Sequence, residues 1–290
     1  MNYEVKNDRV ILKNPDSFDL KHIFECGQCF RWDKISDTSY EGVAFGKALK
    51  IEKSCDDYIF YSSSDDFNSI WIKYFDLDRD YSKIKSYLGN DKVLKEASTF
   101  GHGIRILNQD LFETVISFII SASNNIPRIK GIIKRLCENF GEKIEYMGDV
   151  YYSFPRPEKL SCLTEEEISV IRSGFRGKYI IAAAKAFQSG EISYKMLNSL
   201  SYTDAKKELI KIPGVGEKVA NCILLFGLSK FDSFPIDVWI KRIMEHCYFN
   251  GNPTKNEEIA NYAAEHFKDL GGIAQQYLFY WARENKIGDK

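Results

Sequence analysis

Leu209-Ile210-Lys211-Ile212-Pro213-Gly214-Val215-Gly216-Glu217-Lys218-Val219-Ala220 is the stretch on which the reading of this sequence turns. Apolar residues up to Ile212 fall at helical spacing, Pro213 and Gly214 stop that helix, and a second apolar run opens near Gly216. Gly214 and Gly216 permit positive φ and close approach of another molecule to the backbone. A helix opening at Gly216 presents unpaired N–H groups, and these together with the helix dipole make a ready phosphate site. The pattern predicts a helix-hairpin-helix that grips a DNA phosphate through Gly214, Val215 and Gly216. A plain glycine-containing turn between two helices is the competing reading.

Lys218 falls in the first turn of the second helix, where the dipole favours anions. That field disfavours the ammonium form, as an amine nucleophile requires, and Glu217 beside it partly offsets the effect. A lysine that only contacts phosphate as a point charge fits the same position. Downstream, Pro235-Ile236-Asp237 precedes another apolar helix, so Asp237 is a candidate N-cap. The same carboxylate, held ionised by the helix N-terminus and facing Lys218, could stabilise an oxocarbenium-like sugar while a glycosidic bond breaks.

Working outward, 290 residues with 44% hydrophobic and 28% charged side chains predict an ordinary globular protein of two or three domains. No apolar run approaches the roughly 20 residues of a membrane span. The N-terminus lacks a basic segment followed by an apolar core, so a cytoplasmic protein is expected, nucleoid-associated if bacterial. Seven cysteines suit a reducing compartment. Cys26-Gly27-Gln28-Cys29 has metal or redox spacing, but no second pair completes a zinc site.

The formal net charge of −1 argues by itself against a nucleic-acid binder. Its distribution reverses that reading. Acidic residues dominate between Asp56 and Asp91, whereas Arg128, Lys130, Lys134 and Arg135 form one unopposed basic cluster and Arg172, Arg176, Lys178 and Lys185 another. Ordinary solvated helix faces would carry similar clusters.

The first ninety residues read as β-rich, with strands at Phe30–Trp32, Tyr40–Phe45, Ala48–Lys53 and Tyr58–Ser62. Gly46-Lys47 is expected to make a two-residue turn with glycine first, and Ser64 to cap a helix reaching Phe75. From Asp91 the period is helical: Leu111–Ile120 capped by Asp110, Ile126–Phe140, a capping box at Thr164, Gly177–Gln188, Thr203–Ile212, Asp237–Cys247, Asn256–Phe267 and Gly272–Arg283. Residues 146–163 read as an irregular link. The fold class is α+β: an N-terminal antiparallel β-sheet domain (1–90), a helical domain ending in the hairpin (91–230) and a C-terminal helical part (231–290) that completes a cleft.

The string from Ile212 to Asp237 resembles the helix-hairpin-helix DNA glycosylases that carry a lysine nucleophile and a downstream aspartate. The iron–sulfur branches usually carry four cysteines after the aspartate, whereas only Cys247 follows here. Gly27-Gln28-Cys29-Phe30-Arg31-Trp32, Tyr74-Phe75-Asp76-Leu77 and Ala274-Gln275-Gln276-Tyr277-Leu278-Phe279 are similar to strings of the 8-oxoguanine DNA glycosylase family, in that order along nearly the whole chain.

The resemblance implies that Lys218 and Asp237 are catalytic, that the Gly27 carbonyl accepts the N7–H of a flipped 8-oxoguanine, that Cys222 and Phe279 sandwich the base, and that Gln275 bonds its Watson–Crick edge. Guanine would set an N7 lone pair against that carbonyl, losing about 1–3 kcal/mol and adding repulsion. Arg128 and Arg176 match the family's readers of the orphaned base. The reading asparagine is replaced by Ser123, followed by Asn124 and Asn125; the wedge tyrosine is Phe175; and a phosphate-binding histidine is Trp239, whose indole N–H can substitute. The implied activity is bifunctional excision of 8-oxoguanine and β-lyase cleavage, by a monomer acting on duplex DNA without membrane contact. The chemistry would need no metal or other cofactor, although hairpin carbonyls could hold a structural cation. A same-fold glycosylase for another lesion and a non-catalytic DNA-binding module are the competitors, separable by base-release assays on different lesions.

Overall fold

The computed structural model describes residues 1–288. Six antiparallel strands form one sheet: β1 (Tyr3–Lys6), β2 (Arg9–Leu12), β3 (Trp32–Ser36), β4 (Ser39–Ala44), β5 (Lys47–Ser54) and β6 (Asp57–Phe60), in spatial order β1-β2-β6-β5-β4-β3. Ala44 pairs with Lys47, so the β4–β5 turn is Phe45-Gly46, with φ of 51° and 72°. Two positive φ values make the type I′ turn that matches strand twist, and glycine therefore stands second rather than first.

One face of the sheet is covered by the Leu20–Glu25 helix and by the helical segment from Ser64 to Tyr74. Ser63, not Ser64, caps the latter by accepting from Asp66 N at 3.1 Å. A π-helical stretch, Phe67–Trp71, lies within it. Phe67, Trp71, Tyr74 and Phe75 join Val10, Leu12, Phe24, Trp32, Leu49, Ile51 and Phe60 in a single cluster. Phe24 stacks on Trp32 with centroids 4.2 Å apart, and the Trp32 indole donates to Tyr74 Oη at 2.8 Å.

The remaining helices enclose a second, larger cluster. The Leu111–Ser121 helix, capped by Asp110, is buried along most of its length and lies against the hairpin's second helix. Ile126–Phe140, the Thr164 capping box and Gly177–Gln188 follow the predicted bounds. Each fully buried Ile or Leu in this cluster contributes roughly 1.5–3 kcal/mol. Residues 146–163 are not irregular: β7 (Lys143–Tyr146) and β8 (Asp149–Tyr152) form a hairpin around Met147-Gly148, both at positive φ, and Pro157–Ser161 is a short helix. Tyr146 of this hairpin accepts from Lys50 N at 2.9 Å, tying it to the large sheet.

The two clusters interlock through residues 26–31. Cys26 and Phe30 belong to the helical core, whereas Cys29 and Trp32 belong to the sheet core. Arg31 crosses between them, pairing with Glu113 at 3.1 Å and donating to the Tyr152 carbonyl. That crossing fixes the loop around Gly27 beside the C-terminal helix, Gly271–Asn285.

Candidate active site

The first hairpin helix spans Tyr202–Ile210 and the second Glu217–Leu228. Gly214, at φ +88°, reverses the chain between them, and Val215 N donates to Ile212 O at 3.0 Å. A Cβ on Gly214 would stand 2.8 Å from the Tyr179 ring, so glycine is required by conformation and by space. Gly216 is different. Its φ is −96°, which any residue adopts, and a Cβ there would meet nothing within 4 Å. Its openness leaves the first-turn N–H groups accessible to a phosphate.

Lys218 projects from the first turn of the second helix, with Nζ 5.4 Å from the Phe118 ring centroid. Phe118 stacks on Phe226, and together they wall one side of a small cavity. Asp237 caps the Val238–Tyr248 helix by accepting from Ile240 N at 2.8 Å. Burial raises its carboxyl above the ordinary 3.8, opposed first by that N–H and then by the charge of Lys218. The cap therefore orients the carboxylate without removing it from the cavity.

Gly27, Phe118, Lys218, Cys222, Phe226, Pro235, Asp237, Gln275, Gln276 and Phe279 share this cavity of about 50 Å³. Such a volume has room for a few water molecules and not for a purine, so a flipped base enters only when the lining moves. Phe279 is one wall of the cavity. The ring lies against Gly27, where a Cβ would stand 3.1 Å from Cε1. Cys222 is buried, and burial raises its thiol while the Lys218 charge opposes the shift.

The Gly27 backbone, at φ +82°, is held from several directions. Gln28 donates to Ile23 O and Arg105 O at 2.9 and 2.8 Å and accepts from Leu107 N at 2.9 Å. Gln276 donates to Cys26 O at 2.6 Å, and Arg283 to Glu25 O at 2.5 Å. Gln275 is 5% exposed, and its Oε1 has no hydrogen-bond partner among the described residues. A buried acceptor without a donor costs about 1–3 kcal/mol, an expense that a ligand N–H would relieve.

The second group of sequence-predicted residues lies apart from the cavity lining, around the turn before Ile126–Phe140. Ser123 is exposed at φ +49°. Asn124 donates to Ile120 O at 3.0 Å, and Asn125 caps the helix by accepting from Arg128 N. Arg128 is exposed, and Phe175 presents an aromatic ring 63% exposed. Arg176 is 4% exposed instead: its guanidinium donates to the carbonyls of Ala122, Ser123 and Ser173. It supports the turn from beneath. Trp239 is half-buried in the first turn behind Asp237, with Arg242 over its ring at 5.2 Å.

Several predicted basic residues are engaged internally. Lys130 pairs with Asp33 at 2.7 Å and Arg135 donates to Ile171 O, leaving Arg128, Arg172, Lys178 and Lys185 outward. Sequence reasoning passed over Phe118, Gln276 and Arg283; Gln276 stood inside a recognised string, but nothing in the string marks its partner.

A lysine at the start of the hairpin's second helix, a capping aspartate and an aromatic wall thus meet at one cavity. Residues 116–269 match the HhH-GPD superfamily base excision DNA repair protein model, and residues 10–115 match the 8-oxoguanine DNA glycosylase N-terminal domain model. Within that superfamily the chain belongs to the 8-oxoguanine DNA glycosylase family. The solved structure of MBOgg1 in complex with low affinity DNA ligand is similar at 47% identity and TM-score 0.95, covering 98% of this chain and 99% of its own. That of Clostridium acetobutylicum 8-oxoguanine glycosylase/lyase, in complex with dsDNA containing cytosine opposite to 8-oxoG, is 43% identical with TM-score 0.95 and 99% coverage of each chain. The Saccharomyces cerevisiae N-glycosylase/DNA lyase is 30% identical over 270 residues, 81% of this chain and 69% of the yeast protein.

Proposed function

We propose that this chain excises 8-oxoguanine from duplex DNA and then cleaves the strand, as a bifunctional glycosylase and lyase. The observation that carries the reading is the convergence of Lys218, Asp237, Gly27 and the unpartnered Gln275 Oε1 on one cavity. The target must leave the stack because its glycosidic bond is otherwise inaccessible. Gly214, Val215, Gly216 and Trp239 hold phosphate, while Phe175, Ser123, Arg128 and the turn over Arg176 occupy the space the base vacates.

Once flipped, the base slides between Cys222 and a displaced Phe279. The Gly27 carbonyl accepts N7–H, which guanine lacks, and Gln275 bonds the Watson–Crick edge. Lys218 Nζ, once it has given up a proton, attacks C1′ with its lone pair as the electron pair of the C1′–N9 bond leaves with the base, which takes up a proton. The Asp237 carboxylate stabilises the positive charge that develops on the sugar. After the new amine loses a proton, its lone pair expels O4′ from C1′, and O4′ takes up a proton as the ring opens to a protonated Schiff base. Removal of the now acidic C2′–H by a base eliminates the 3′ phosphate with cleavage of the C3′–O bond. Every group in this sequence is an amine, carboxylate or amide of one chain, so a monomer suffices and no step passes through a metal; a structural cation would fall to the hairpin carbonyls. A duplex-DNA substrate fits a cytoplasmic enzyme, nucleoid-associated if its source is bacterial. No helix among the described residues is long and apolar enough to cross a membrane.

The direct test is release of 8-oxoguanine from duplexes carrying each of the four opposite bases. Release with strand cleavage is expected. Release only of an alkylated or mismatched base, or salt-sensitive binding without release, would sink the reading.

A further inference from the structure

The proposed chemistry creates two positive charges, one on the sugar as the base leaves and one on Nζ as it bonds to C1′. Asp237 answers the first. For the second, Lys218 forms no ion pair among the described residues, and Glu217 beside it is taken by Lys206. What Nζ does face is an aromatic ring. It stands over Phe118, 5.4 Å from the centroid and inside the roughly 6 Å reach of a cation–π contact. That ring is held in place: Phe226 stacks on it at 5.4 Å and 12°, and Phe30 packs T-shaped against it at 5.7 Å. All three rings are buried, and a cation–π contact is strongest where water is excluded. Phe118, Phe226 and Lys218 line the same cavity, so the ring borders the space in which C1′ would be attacked.

We infer that Phe118 is a catalytic residue whose ring face stabilises the positive charge that Lys218 Nζ acquires in the reaction; this rests on the function proposed above. Nζ enters the step as a free amine. Its lone pair forms the Nζ–C1′ bond while the C1′–N9 pair leaves with the base, and the nitrogen carries a positive charge until it sheds a proton to water. The charge returns when O4′ leaves and the protonated Schiff base forms. The electron-rich face of a ring attracts a cation and scarcely a neutral amine. The contact therefore strengthens as the bond forms, which lowers the barrier to attack and favours the Schiff base. A carboxylate in this place would also attract the charge, but its oxygens could take up the proton or compete for C1′. A ring offers neither lone pair. The two charges are thus met by different chemistry, the sugar by Asp237 and the nitrogen by Phe118.

The test replaces Phe118, in the full chain, by mono-, di- and trifluorinated phenylalanine, which keep the shape of the ring while draining the potential of its face step by step. Single-turnover excision of 8-oxoguanine at saturating enzyme is followed across pH, beside DNA affinity and thermal melting. The other charged and titratable groups around Lys218, namely Asp237, Cys222, Glu217, Lys206 and Asp232, stay unchanged in every variant. On the alkaline plateau, where the amine starts neutral, the rate is expected to fall with each fluorine and to reach about 2–10-fold below wild type in the trifluorinated protein, with affinity and melting unchanged. At acid pH the resting ammonium loses the same support, so the loss there is smaller. Rates indifferent to the number of fluorines, or losses that follow melting or affinity, would make Phe118 a packing residue only, and the inference falls. Wild type that releases no 8-oxoguanine would instead overturn the proposed function.

Discussion

At the scale of single residues, Asp237 carries two duties that a substitution can separate. As a cap it needs only an oxygen that accepts from Ile240 N, and asparagine caps as well as aspartate. As a catalytic group it needs a negative charge. Asp237→Asn is therefore expected to keep the fold and DNA affinity while turnover falls by orders of magnitude, measured by single-turnover excision beside equilibrium binding; a parallel loss of binding would reduce Asp237 to a cap. The pH dependence follows from burial. Because the folded-state carboxyl titrates above its ordinary value, the folded protein holds this proton more tightly than the unfolded chain. Its contribution to stability is fully present below the unfolded value and is lost as pH rises through the folded one, so at neutral pH the ionised group is a net cost. The acid limb of excision accordingly lies above the ordinary carboxylate range, and Asp237→Asn melts at an equal or higher temperature at neutral pH.

Among elements, the hairpin makes the sharpest distinction, because its two glycines serve different ends. Gly214→Ala forces a methyl against Tyr179 at positive φ, and a cost of about 1–3 kcal/mol is expected in chemical denaturation. Gly216→Ala leaves the fold within about 0.5 kcal/mol, since its backbone is ordinary and its surroundings empty. Its methyl instead covers the helix N–H groups, so DNA affinity drops without destabilisation. Equal melting of the two variants would contradict the assignment. Sequence reading located this hairpin and most capped helices because caps and apolar periods are local signals. It located β4 to β6 for the same reason, but set the strand before them at Phe30–Trp32, whereas β3 runs Trp32–Ser36. It missed β1 and β2, whose turn uses Asn7 and Asp8 at positive φ, and β7 and β8, whose turn is Met147-Gly148. Neither two-residue turn carries the Asn-Gly or Asp-Gly pair that marks a hairpin, and the second pairing of β2, with β6, joins residues about fifty apart, such as Val10 and Phe60.

For the molecule as a whole, the site is assembled where the chain's two ends meet. Gln276 reaches Cys26 and Arg283 reaches Glu25 across some 250 residues, and these bonds hold Gly27 against Phe279. The residue types at Gly27, Lys218, Asp237, Gln275 and Phe279 were legible from short strings. The network that positions them was not, because a hydrogen bond to a distant backbone carbonyl leaves no trace in residue identity. Arg176 illustrates the same limit: its sequence position suggests a base reader, whereas burial commits its guanidinium to the turn at Ser123. Net charge misled for a different reason: it averages over the whole surface, whereas Arg128, Arg172, Lys178 and Lys185 stay outward even though Lys130 and Arg135 are engaged by Asp33 and the Ile171 carbonyl.

The claim on which the rest depends is that Lys218 forms a covalent bond with the sugar. Incubating the protein with an 8-oxoguanine duplex and sodium borohydride reduces any Schiff base to a stable adduct, seen as a shifted band on a denaturing gel. Wild type is predicted to give that band, and Lys218→Gln to give none while still binding the duplex. An adduct of undiminished yield from Lys218→Gln would contradict the account.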